Sequence, residues 1–244
     1  MQDVAALPDA VRAGSLRVGG FVPFTSTDYP DALAAVVFCQ GCPWRCGYCH
    51  NPHLIPAHGG DERDFPRILD WLGTRRGLLD AVVFSGGEPT AQAELAEAIT
   101  EVRALGFAIG LHTGGAFPRR LAQVLAQIDW VGIDVKAPLA DYANLTGVAT
   151  SGIAALASLD LVLRSQVAHE VRTTVHPALT PPATLEQLAR ELADHGIDRW
   201  VLQPFRATGC ANEALVASAP HEAMLEPALL ARLRTLVPVI EVRG

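Results

Sequence analysis

The chain has 244 residues, half of them hydrophobic and 18% charged, with a net charge of −7. That length fits one large domain or two small ones and buries a sizeable core without metals or disulfides. The acidic balance argues against a general nucleic-acid binder. The only basic pairs are Arg75-Arg76 and Arg119-Arg120, and no apolar run reaches the length of a membrane span. Five cysteines, an odd number, and no export signal point to a reducing cytoplasm. Of 19 basic residues only Lys136 is lysine, which singles out its compact ammonium.

Residues 1 to 15 are Ala-rich and mildly amphipathic, reading as a frayed or partly helical lead-in. Leu16 to Thr25 reads as a short edge strand or hairpin, and Thr25 to Pro30 as a polar turn. A repeated unit follows. Apolar runs at Ala34–Cys39, Ala81–Ser85, Ala108–His112, Trp130–Val135, Glu170–Val175 and Trp200–Pro204 read as buried strands. Helical patterns lie between them at Phe65–Arg76, Gln92–Leu105, Pro118–Ala126, Gly152–Ser165 and Leu185–His195. In the last of these, Thr184 with Gln187 reads as a capping box and Gly196 as a C-terminal cap. Pro220 to Leu236 reads as a helix with Leu225, Leu229, Leu230 and Leu233 as its stripe, and Val237 to Val242 as a final edge strand. Alternating β and α with buried strands predicts a parallel sheet with helices outside. Six repeats are too few for a closed eight-unit barrel. No Ser/Gly/Pro-rich linker marks a second domain, so 1–244 reads as one unit.

The stretch from Val36 to Pro52, the end of the first buried strand and the loop after it, holds four of the five cysteines. Cys42, Cys46 and Cys49 are spaced C-x3-C-x2-C. Thiolates this close favour zinc or iron–sulfur. Three ligands on a four-iron cluster leave one iron open, whereas an electron carrier uses four cysteines. A structural zinc site is the alternative, with Cys46 and Cys49 as one pair and Cys42 plus His50 or His53 completing it. A disulfide is a further one. Cys39 ends an apolar run and reads as a small core residue, with a spare ligand as the other reading.

C-x3-C-x2-C with an aromatic, Tyr48, just before the third cysteine resembles the radical S-adenosylmethionine superfamily, and the longer string Gly20 to Pro30 (G-F-V-P-F-T-S-T-D-Y-P), followed by Q-G-C-P-W-R-C-G-Y-C-H-N-P, resembles one branch of it. Within it, the sequence is similar to the activating enzymes of glycyl radical enzymes, and most closely to those of anaerobic ribonucleoside-triphosphate reductases. The resemblance covers roughly Gly19 to Arg206, leaving 207–244 as an extension. It implies an α/β fold, a partial (βα)6 TIM-like open barrel, here with an N-terminal strand and a C-terminal helix/strand extension. It implies a [4Fe–4S] cluster on Cys42, Cys46 and Cys49, with S-adenosylmethionine on the open iron. Reductive cleavage would give methionine and a 5′-deoxyadenosyl radical. That radical would take hydrogen from a glycine of a partner glycyl radical enzyme, with a flavodoxin- or ferredoxin-type electron donor and neither nucleic acid nor membrane as partner.

Polar signals sit at the predicted strand ends, where a parallel barrel carries its chemistry. By the same resemblance, Tyr48 lies against the adenine. Gly86, Gly87 and Glu88 of S-G-G-E-P hold the methionyl amino group, the glycines letting backbone approach a ligand. His112 and Thr113 reach methionyl or ribose groups. Asp134 and Lys136, on one face by strand alternation, meet carboxylate and hydroxyl groups. Arg172 faces the methionyl carboxylate as a bidentate donor, although Thr173-Thr174 stand where the family is more apolar. Gln203 departs from a histidine of some activating enzymes, and its amide can serve the adenine. His176 has no assigned role, and Cys210 reads as a surface thiol or as facing a partner. Two other functions stay open: radical chemistry on a small molecule such as a deazaguanine precursor, and a non-catalytic zinc or iron–sulfur module.

Overall fold

A computed structural model describes residues 16–219 and 225–243. Eight strands follow one another across one sheet in chain order: β1 (Val18–Thr25), β2 (Ala34–Cys39), β3 (Ala81–Gly86), β4 (Ala108–Thr113), β5 (Trp130–Asp134), β6 (Ala168–Val175), β7 (Arg199–Pro204) and β8 (Val239–Val242). β1 pairs antiparallel with β2, and every later pair is parallel. β1 and β8 are the two edges, so the sheet is not closed. Six strand-and-helix units, β2 to β7, thus sit between an antiparallel N-terminal strand and a C-terminal strand, the open α/β barrel expected.

Helices α1 (Phe65–Gly73), α2 (Leu95–Ala104), α3 (Pro118–Val124), α4 (Tyr142–Thr146), α5 (Ser151–Ser165), α6 (Pro182–Asp194), α7 (Glu213–Ala217) and α8 (Pro227–Arg234) fill the connections. Proline stands in the first turn of α1, α3, α6 and α8, where its missing N–H costs nothing and its φ is already helical. This overturns the capping box: α6 begins at Pro182, Thr184 lies inside its first turn, and the Gln187 amide donates to Glu191 instead. Gly196, at φ +76°, does follow α6 as a left-handed cap. α3 stops at Val124 and tightens into a 3-10 turn over Leu125–Gln127. The last helix starts only at Pro227, and the beginning of its expected range, 220–224, lies outside the described residues, as does the lead-in at 1–15. α4 and α7 were not anticipated; five residues are too few to show a helical period.

Strand alternation sorts the two faces of the sheet. Outward side chains such as Phe84, Ile109, Val131, Val171, Trp200 and Leu202 pack with Ile68, Ile99, Leu121, Leu159 and Leu188 of the helices in one continuous core. Each such side chain contributes about 1.5–3 kcal/mol by burial. Cys39 belongs to this core and is fully buried. The inward face is divided. On β2 and β3 it is small and apolar (Ala34, Val36, Ala81, Val83), capped by Tyr29. On β5 to β8 it is polar, with Asp134, Arg172, Arg199, Gln203, Glu241 and Arg243 facing interior cavities.

Candidate functional site

The C-terminal ends of the strands surround a cavity of about 280 Å³. Cys42, Cys46 and Cys49 line it from the loop after β2, and Tyr48, Glu88, Asp134, Lys136, Arg172 and Gln203 stand around them. All three thiols are free and half-buried. Burial, with Glu88 nearby, pushes the Cys42 thiol up to about 12. Burial also raises Cys46 and Cys49, and Lys136 pulls both the other way. Among the described residues, no three His, Cys, Asp or Glu side chains converge closely enough to hold a single metal ion.

The glycines of S-G-G-E-P have a reason that spacing did not reveal. A Cβ on Gly86 (φ +110°) would lie 2.5 Å from the backbone N of Cys39, and one on Gly87 2.5 Å from the carbonyl of Gly41. Here the close approach is to the chain's own cysteine loop. It is sealed by Gly87 N donating to Cys39 O at 2.9 Å and Glu88 N donating to Gly41 O at 2.9 Å. The Glu88 carboxylate is buried. Its Oε1 accepts from Thr90 N (3.1 Å), Thr90 Oγ1 (2.6 Å) and Thr113 Oγ1 (2.7 Å), and its Oε2 accepts from Gly114 N (2.9 Å). Three donors on one oxygen and one on the other leave Oε2 with capacity to spare. Thr113 is thus engaged with Glu88 and with Gly115 N.

Asp134 and Lys136 do share a face, although Lys136 falls just past the end of β5. Asp134 divides its oxygens: Oδ2 takes Lys136 Nζ at 3.2 Å, and Oδ1 takes Arg172 Nε at 3.0 Å and Nη2 at 2.9 Å. The Asp134↔Arg172 register of β5 and β6 places the guanidinium there. Burial opposes charge on Asp134, but Arg172 and Lys136 outweigh it and hold the carboxyl down to about 2. Burial likewise works against the Lys136 ammonium, and Tyr48 and Asp134 outweigh it, so the group stays charged. The ammonium also stands 5.7 Å from the Tyr48 ring centroid and 6.0 Å from that of Trp44, within cation–π range. The Tyr142 hydroxyl accepts from Lys136 N at 2.8 Å and fixes the turn that carries it.

His112 faces the same cavity, but both ring nitrogens have protein partners: Asp28 O at 2.9 Å and Ser85 Oγ at 3.3 Å. Burial and Arg172 hold its imidazole down to about 3, so it is neutral. Gln203, on β7, lines this cavity and a larger one of about 940 Å³ beside it. Cys210 sits by the cysteine loop, its thiol 3.7 Å from Gly47 O. Gly209 before it leaves no room for a Cβ, which would meet His50 O at 2.4 Å. His176 is buried and structural, its Nε2 donating to Leu215 O at 3.1 Å. Trp44, Trp130, Tyr142 and Asp28 are site neighbours that sequence reasoning missed; only proximity in the fold brings them in.

The model of the Radical SAM superfamily matches residues 36–192. A Methanocaldococcus jannaschii protein, provisionally named a glycyl-radical enzyme activating enzyme, is 30% identical over 205 residues, 80% of this chain and 82% of its own length. The pyruvate formate-lyase-activating enzyme of Clostridium pasteurianum is 33% identical over 109 residues, 43% of this chain and 46% of that one. The crystal structure of Streptococcus suis SuiB bound to S-adenosylmethionine superposes with a TM-score of 0.62 at 14% identity, covering 84% of this chain and 48% of that one. The chain thus spans about half the length of the last two.

Proposed function

The chain belongs to the radical SAM superfamily, and from that premise we propose that it is an activating enzyme that sets a radical on a glycine of a partner glycyl radical enzyme. The observation that carries the chemistry is the set of three free thiols facing one cavity with Glu88, Asp134, Lys136 and Arg172. Soft thiolates suit an iron–sulfur cluster, and all three thiols line the one cavity. Members of this superfamily use a [4Fe–4S] cluster with S-adenosylmethionine. When bound, such a cluster would supply the electron for reductive cleavage of the S-adenosylmethionine sulfonium.

The chain's part is to bind, orient and exclude water. Cys42, Cys46 and Cys49 would hold the cluster once their protons are displaced. The spare capacity of Glu88 Oε2 suits the methionyl ammonium, with Gly86 and Gly87 keeping the turn against the cysteine loop. Lys136 and Arg172, each already tied to Asp134, present fixed cations to the methionyl carboxylate. Prior fixing means that little order has to be gained on binding. Tyr48 and Gln203 flank the space for the adenosine. Thr113 supports Glu88 from behind, whereas both ring nitrogens of His112 are taken by protein partners. The larger cavity beside the site would take the glycine-bearing segment, and an anaerobic ribonucleotide reductase is the partner favoured by the sequence around the cysteines. A flavodoxin- or ferredoxin-type protein would deliver the electron. We take 1–244 as one radical SAM domain working in the cytoplasm. Among the described residues, no helix is long and apolar enough to cross a membrane.

The test is anaerobic. Protein reconstituted with iron and sulfide, reduced and given S-adenosylmethionine should carry about four irons per chain and release 5′-deoxyadenosine. Cys46→Ala should lose both. Full iron content and cleavage in that variant would show the ligand assignment to be wrong.

A further inference from the structure

The larger cavity meets the cysteine-lined one along a shared wall of Asp28, His50, His112, Arg172, Thr174 and Gln203. Asp28 belongs to the segment between β1 and β2, which folds back inside the barrel. Its neighbour Tyr29 is wedged beneath Gly110, where a Cβ would come within 3.0 Å of the ring, and lies 5.7 Å from Trp130. The Asp28 carboxylate turns back on its own loop, accepting from Thr25 Oγ1 at 2.6 Å. Its backbone carbonyl is what faces the barrel, and His112 takes hold of it at 2.9 Å through Nε2. A carbonyl only accepts, so Nε2 carries the hydrogen and Nδ1 is the acceptor for Ser85 Oγ. Trp130 holds the ring edge-on at 5.5 Å.

We infer that His112 is a positioning residue for the segment that enters the larger cavity: by tethering Asp28 it fixes the doorway between that cavity and the cofactor's. This rests on the function proposed above. In the transfer, a glycine Cα–H bond breaks, the hydrogen goes to the 5′ carbon, and the unpaired electron stays on the glycine. Such a step depends on the approach of two carbons, and a 1 Å misplacement costs about 10²-fold. Both nitrogens of His112 are spent on protein, Nε2 on Asp28 O and Nδ1 on Ser85 Oγ, so neither is left for the cofactor.

The experiment compares the full chain with His112→Leu and His112→Gln. In the unloaded protein, amide hydrogen exchange is read over residues 26–31. In the loaded protein, donor-free 5′-deoxyadenosine formation is set against deuterium transfer from a short peptide with a central α-dideuterated glycine. His112→Leu should speed exchange over 26–31 by about tenfold. Donor-free cleavage should stay within about threefold while deuterium transfer falls by tenfold or more. His112→Gln, whose amide N–H can reach the same carbonyl, should recover much of the transfer. Unchanged exchange, or cleavage and transfer falling together in His112→Leu, would overturn the inference. A wild-type chain that cleaves S-adenosylmethionine yet takes no deuterium would overturn the activase reading and the doorway's role with it, and the exchange result would still decide whether the tether exists.

Discussion

At Gly132 a side chain has no room. A Cβ there would lie 2.7 Å from the Arg172 guanidinium and 3.0 Å from Trp130. Gly132→Ala should push Arg172 off Asp134, and the overpacking should cost about 1–3 kcal/mol in denaturant unfolding. Equilibrium dialysis should show S-adenosylmethionine binding weakened about tenfold, because the loss of a positioned charged hydrogen bond is of that order. Wild-type affinity would mean that Arg172 does not serve the cofactor. At this scale the sequence was legible where chemistry is local. Three cysteines in eight residues, and Asp134 two positions before the chain's sole lysine, declare their proximity. The partners of His112 and Glu88 did not show, since they come from residues up to 84 positions away. The Gly86-Gly87 pair was visible, but its reason was not: it makes room for the Cys39–Gly41 backbone.

The clearest element-scale device joins β8 to β6. Arg243 Nη1 and Nη2 donate to the two oxygens of buried Glu170 at 3.0 and 2.9 Å, passing over β7, while its Nε donates to Glu241 Oε1 at 2.9 Å. Arg199 meets the other Glu241 oxygen at 2.9 Å. A bidentate charged pair at a partly buried site fixes an edge strand that has one neighbour only. Glu170→Gln should cost about 1–3 kcal/mol and raise amide exchange in β8 ahead of β7; equal exchange in both strands would deny the clasp. Helix starts give a second contrast. Thr184→Ala, inside the first turn of α6, should shift unfolding by no more than about 0.5 kcal/mol. Asn212→Ala, which removes the cap on Leu215 N in α7, should cost about 1 kcal/mol. Chemical denaturation of both variants checks the pair. Most strands were legible to within a residue or two because buried parallel strands are continuous β-branched runs. Arg172 and Gln203 apart, the polar inner faces of β6 to β8 were not, because Glu170, Arg199 and Glu241 alternate with apolar residues in the manner of ordinary half-exposed strands.

Across the whole molecule, the neutral imidazole of His112 ties stability to acidity. Unfolded, it takes a proton near pH 6.5; folded, only near 3. Between these values the unfolded state holds more protons, so stability rises with pH through that window and is complete above it. The thermal midpoint of the unloaded protein should be flat above about pH 6.5 and fall below it, and His112→Gln should flatten the slope; an unaltered slope would place the protonation elsewhere. The barrel's unit count could be read from alternating patterns alone. The division of its interior into a cysteine-lined cavity and a larger polar one could not, because it depends on the 26–31 segment folding back inside the sheet, and turn composition carries no sign of where a turn points. The central claim is that the radical made here is handed to a glycine on another protein. The most direct measurement is electron paramagnetic resonance on a ribonucleoside-triphosphate reductase incubated anaerobically with the loaded, reduced chain and S-adenosylmethionine. The account predicts a doublet that collapses when the reductase is made with α-deuterated glycine, growing in step with 5′-deoxyadenosine. A fully loaded chain that yields neither 5′-deoxyadenosine nor a protein radical would contradict it and leave the three thiols as an electron carrier or scaffold.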